Sequence, residues 1–197
     1  MIIIFIMYES LLLDKKNLYI ITMNKLKNIS NFSTLSDYLP IFTGTLIADL
    51  IIIFVFSYTM FKSKILMVWY KKYGLSAVIA DVFIIVIGFI LARLAYPKFF
   101  SSWNFWKFTG LLLVIQVIHD LLFALFFTLV PRGVNNMLDV FKDYAKENSY
   151  KAILGDSVVT FLAALFSSYL AGKTFHTQVI TLIVSIYLLP YLLYAKI

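Results

Sequence analysis

Four carboxylates stand where a carboxylate is costly. Asp49, Asp81, Asp120 and Asp156 each lie inside a long apolar run, and they are four of the 10 acidic residues in the chain. Each follows two aliphatics and one further residue: Leu46-Ile47-Ala48-Asp49, Val78-Ile79-Ala80-Asp81, Val117-Ile118-His119-Asp120 and Ile153-Leu154-Gly155-Asp156. The similarity is greatest between TLIADLIII (45–53) and AVIADVFII (77–85), as an internal duplication would leave it. An Asp at the centre of a membrane helix costs ~2.5–3.5 kcal/mol. All four are therefore expected to face the bundle interior, carrying a proton, hydrogen-bonded or ion-paired.

Carboxylates gathered in one apolar layer have three uses. They relay protons, hold a hard cation, or bond Ser, Thr, Gln and Tyr across helices and so fix a bundle's register. The neighbouring polar residues fit any of these. Asp156, Thr160, Ala163 and Ser167 share one helical stripe, as do Gln116, His119 and Asp120, then Thr45, Asp49 and Ser57, and finally Gln178, Thr181 and Ser185. The candidate ion or proton seam is thus Asp49, Asp81, Asp120 and Asp156 with His119, Gln116 and Thr160, and each helix is expected to turn one polar stripe to a shared centre. At ~1.5 Å per residue, Asp81, Asp120 and Asp156 should converge in one layer with Asp49 displaced from it. His119 next to Asp120 cannot chelate as two His one turn apart do, so no metal site, cofactor site or catalytic set is assigned. An embedded enzyme remains as an alternative without a recognisable nucleophile–base pair.

The elements that position these residues follow from composition. Of 197 residues, 62% are hydrophobic and 14% charged, with a mean hydropathy of +0.91. Soluble domains have about 45–50% apolar and about 25% charged residues, so a soluble enzyme and a disordered chain are both disfavoured. No Cys is present, which excludes disulfides and thiolate metal sites. The net charge of +7 comes from 17 Lys and Arg, most of them between apolar runs, where cations anchor helix ends at headgroups. Without a basic cluster interleaved with aromatics, no nucleic-acid partner is expected.

Five runs are long enough to span a bilayer, which takes ~20 apolar residues: about 41–61, 75–95, 108–130, 152–171 and 175–194. Ser36 or Asp37 and Pro40 mark the first start, Pro131 and Gly133 the end of the third, and Pro190 a kink in the fifth. Residues 62–74 read as a connection, and Trp103, Phe105 and Trp106 as an interfacial aromatic belt. Over about 136–151, Met137, Val140, Phe141 and Tyr144 occupy one helical face and charges the rest, the pattern of a surface helix. The fold class is all-α, a polytopic membrane helix bundle with five spanning helices and one amphipathic surface helix. The domains are an N-terminal segment, 1–40, and a transmembrane domain, 41–197.

The first 22 residues are too short and too interrupted to span, and Met23 opens an alternative basic start, MNKLKN. Arg93 reads as a side chain snorkelling to the headgroups. Basic residues flanking the spans number 8 on the N-terminal side and 9 on the other, or 6 against 9 counted from Met23. The second count places the N-terminus outside or lumenal and the C-terminus in the cytoplasm. The sequons Asn28-Ile29-Ser30 and Asn31-Phe32-Ser33 fall on that outer side.

Known membrane chemistries leave no signature. A retinal protein needs a mid-span Lys in its last helix, and Lys173 and Lys196 flank it instead. Ile153-Leu154-Gly155-Asp156 lacks the first Gly of an intramembrane aspartyl protease motif, and no Gly-x-Ser-x-Gly is present. The stretch VIHDLLFALFFTLVPRGVNNMLDVFKDYAKENSYKAILGDS (117–157) resembles uncharacterised multi-pass membrane proteins of large DNA viruses of algae and protists. That resemblance implies a viral or host membrane and assigns no chemistry to any residue. The expected function is a structural or interaction role in a membrane, with the lipid bilayer, a second copy or other membrane proteins as partners. Proton or cation translocation through the Asp seam is the sharper alternative.

Overall fold

The computed structural model describes residues 26–58, 64–148 and 150–194. Among them the chain is all-helical, with no strand. A short 3-10 turn, Leu35–Asp37, leads into α1 (Tyr38–Tyr58), followed by α2 (Lys64–Tyr73), α3 (Leu75–Phe99), α4 (Phe105–Leu129), α5 (Asn136–Asn148), α6 (Tyr150–Ala171) and α7 (Phe175–Leu193). Five helices are long and apolar enough to cross a membrane, and they correspond to the five expected runs. The chain thus has the architecture of a multi-pass membrane protein. The first helix begins at Tyr38, so a domain boundary at residue 40 falls inside it.

Local chemistry sets the helix starts. The Asn104 side chain accepts from the Lys107 N–H at 3.0 Å and caps α4. Thr174 does the same for α7 through Thr177, and Asn135 caps α5 through the N–H groups of Met137 and Leu138. Gly74, at φ +50°, lets α2 turn into α3 with one residue between them.

The principal packings form a closed circuit. Helix α1 lies on α3 and α6, and α4 completes the ring by lying on both of those. The seventh helix, α7, sits outside this ring against α1. The ring is therefore made of the four long apolar helices that carry an Asp. At the α1–α6 contact the backbones approach closely: a Cβ on Gly44 would stand 2.4 Å from the Ser167 nitrogen and 2.8 Å from its Cα. Gly44 and Ala48 on one side meet Ala163, Ala164, Ser167 and Ser168, all buried, on the other. Small residues four apart are how membrane helices gain contact without a hydrophobic driving force between them.

Both short helices lie at the end of the ring where α3 and α6 begin. Helix α5 turns Met137, Val140 and Phe141 onto the bundle, as the spacing predicts, and packs on α4 and α6. Residues 62–74 were expected as a connection, but 64–73 form α2, whose Trp69 and Tyr70 are buried. The aromatic belt is also divided: Trp106 is exposed, whereas Phe105 is buried and Trp103 packs against Tyr96 and Phe108. The readings of residues 1–22 lie outside the described residues.

Candidate functional site

Helix α1 brings Asp49 into the ring, where the residue is 2% exposed. Its Oδ1 accepts a hydrogen bond from the Tyr70 hydroxyl at 3.0 Å. Beside Tyr70, the indole N–H of Trp69 donates to Asp81 Oδ2 at 2.9 Å. The Tyr70 hydroxyl also interacts with Asp81, so one phenol stands between the carboxylates of α1 and α3. Burial pushes the Tyr70 hydroxyl well above its ordinary pKa, and the carboxylates of Asp49 and Asp81 push in the same direction. Thus α2 is held at its aromatic end by two spanning helices.

The other half of the layer belongs to α4 and α6. Gln116, buried one turn before Asp120, donates from Nε2 to Asp120 Oδ1 at 2.7 Å. His119 Nδ1 lies 3.3 Å from the same oxygen, and its ring stacks on Phe123. Asp156 lies within electrostatic range of Asp120 and Asp81. Tyr144, from α5, is half-buried within electrostatic range of Asp156, Asp81 and Asp120. Its hydroxyl pKa is raised, chiefly by burial and then by those three carboxylates. Asp81, Asp120 and Asp156 are each half-buried. Asp49 adjoins that layer through Tyr70.

Several buried oxygens in this region have no hydrogen-bond partner among the described residues: Asp49 Oδ2, Asp120 Oδ2 and Thr160 Oγ1. Three ligand-type side chains are not grouped closely enough, among the described residues, to hold a metal ion.

The other polar stripes do not join the layer. Thr45 bonds its own helix at Ile41 O, and Ser185 bonds Thr181 O. Gln178 Nε2 donates to Leu170 O and Lys173 O, tying down the turn that precedes α7. Ser167 meets Ile41 O at the α1–α6 contact. The expectation that α7 turns a stripe to the centre fails because α7 is outside the ring. The side chain of Ser57 lies outside the described residues.

A second polar cluster closes the opposite end. Arg93 does not snorkel: it is fully buried, because residues 26–37 fold over it. Its Nη2 donates to Asn31 O and, at 2.8 Å, to Thr34 O, and lies 3.5 Å from Asp37 Oδ2. The guanidinium sits 4.4 Å from the centre of the Tyr38 ring. Asp37 thus serves as a counter-ion, shared with Lys27 at 3.7 Å, and not as a helix cap. Ile29 is fully buried, and Lys27 exchanges backbone and side-chain bonds with Ser168 at the end of α6.

Trp69, Tyr70 and Tyr144 are the site residues that the sequence reading left out. A signal exists for the first two: Ile65, Val68 and Trp69 fall at i, i+3 and i+4, which marks a helical face. Tyr144 was placed on the apolar face of the surface helix, but nothing in its spacing names the carboxylates near it. The chain matches no family model, no curated protein and no solved structure, so the functional reading rests on this geometry.

Proposed function

We propose that this multi-pass membrane protein has a structural or interaction role, and that its intramembrane carboxylates fasten the two short helices to the four-helix ring. The observation that supports this reading is the pair of hydrogen bonds from adjacent residues of α2, Trp69 to Asp81 and Tyr70 to Asp49. Donors and acceptors on separate elements fix both position and register, and breaking such a bond in a buried site leaves a polar group unsatisfied. Its partners are bilayer lipids and, along the exposed apolar faces of α4 and α7, a second copy or other membrane proteins. We place the N-terminal side outside or in a lumen and α2 and α5 in the cytoplasm, in a viral or host membrane.

The second reading is proton or cation movement through Asp49, Asp81, Asp120 and Asp156. It is favoured by the buried oxygens that lack a partner, on Asp49, Asp120 and Thr160. Purified protein in liposomes loaded with a pH-sensitive dye separates the two. A structural lock gives no flux above empty vesicles under a pH gradient or an imposed potential, while Tyr70→Phe lowers stability. Flux in the wild type that is lost in both Asp120→Asn and Asp156→Asn would instead establish translocation and overturn the lock.

A further inference from the structure

At the corner where α4 ends and α5 begins, the chain leaves a pocket of ≈ 490 Å³. That is within the range of about 300–1,000 Å³ typical of small-molecule sites. Three of its lining residues are cations, Arg132, Lys142 and Lys146, and no carboxylate lines it. The remaining wall includes Phe127, Val130 and Ala145. The lining is therefore part apolar and part basic.

Its height is set by the sequence. Helix α4 ends at Leu129, and Pro131 prevents its continuation, so the pocket stands where a spanning helix reaches the headgroup region. The cations are held from behind. Arg132 Nη2 donates to Asp143 Oδ1 at 2.7 Å, and Lys142 lies 3.6 Å from Asp139 while also donating to Val130 O. Asp139 in turn accepts from the Gly133 N–H at 2.9 Å. Asp143 also feels Lys146, so these three cations and two carboxylates leave one net positive charge, with the cations lining the pocket.

We infer that this corner binds one anionic phospholipid, its phosphate between Arg132, Lys142 and Lys146. A basic pocket at the headgroup level, where a spanning helix ends, matches the anionic head of such a molecule.

Native mass spectrometry of the full chain, released from detergent containing equal phosphatidylglycerol and phosphatidylcholine, tests this directly. The wild type should retain one phosphatidylglycerol in preference to phosphatidylcholine. Lys146→Gln should lower that retention about fivefold, which corresponds to the loss of one Lys near an anionic headgroup. Lys98→Gln, at the other end of the bundle, should leave it unchanged. Ala145→Phe, which fills the pocket without altering charge, should lower retention as well and keeps the test valid if Lys146→Gln does not fold. Equal retention of the two lipids, or retention unaffected by both pocket variants, would overturn the site. Full displacement by millimolar inorganic phosphate would show a free-phosphate site and overturn the lipid assignment.

Discussion

Tyr70 carries more of the site than any single carboxylate, because its one hydroxyl stands between Asp49 and Asp81. Tyr70→Phe keeps the ring and deletes the donor, leaving the buried Asp49 without its partner. A loss of ~1–3 kcal/mol is expected, read as a lower unfolding midpoint in detergent. Asp49→Asn retains an acceptor at the same place and should cost less. Tyr144 gives a test by titration. Its folded pKa is raised above the ordinary 10.0 by burial first and the three carboxylates next. The stability linked to this phenol is present below that ordinary value and is lost as pH rises from there toward the folded one. Tyrosinate absorbance should therefore show no contribution from Tyr144 at pH values where exposed phenols ionise. Tyr144→Phe should leave that early part of the titration curve unchanged and remove one late-titrating group.

The four Asp residues were legible at this scale because an ionisable side chain inside an apolar span carries a high cost. Arg93 was misread for a related reason. At a span end, snorkelling and burial have the same sequence signature, and the choice depends on residues 26–37 folding back over the helix end. Trp69 and Tyr70 lay inside a stretch read as a connection, because adjacent Lys71 and Lys72 break the apolar run there.

At the scale of elements, the α1–α6 contact is the place least able to accept volume. Gly44→Ala puts a methyl group against the backbone of Ser167, where no rotamer change can relieve it. Overpacking of this kind costs ~1–3 kcal/mol, and Gly44→Leu should prevent the helices from docking. Gly110 is the control. It lies in α4 with nothing within 4 Å of its would-be Cβ, so Gly110→Ala should raise stability by up to ~1 kcal/mol through helix propensity. Thermal unfolding of both variants checks the pair. Span number and the surface helix were readable from run length and periodicity, both local properties. Which helices close the ring was not, since α7 has a polar stripe like the others and its exclusion depends on long-range packing.

For the whole molecule, the two ends differ in kind. One is closed by aromatic side chains of α2 and α5 over carboxylates, the other by residues 26–37 wrapped on Arg93. The absence of native Cys makes sidedness measurable. Single thiols at Lys72 and Asp143 should react with an impermeant reagent from one side of the membrane, and thiols at Asn28 and Lys98 from the other. On the count of basic residues, the first pair is expected to label from the cytoplasmic side. Labelling of Asp143→Cys from the same side as Lys98→Cys would contradict the five-span arrangement.

The bonds between Lys27 and Ser168 span 141 residues of sequence. At synthesis rates of about 5–20 residues per second, these partners leave the ribosome roughly 7–28 s apart. Arg93 arrives sooner, since the carbonyls that it meets, those of Asn31 and Thr34, are 62 and 59 residues away. The segment around Ile29 can thus be held by α3 while the α6 side of its pocket does not yet exist. Closure of the ring at that end is then timed by the emergence of α6, and the first described residues of the chain are among the last to reach their final place.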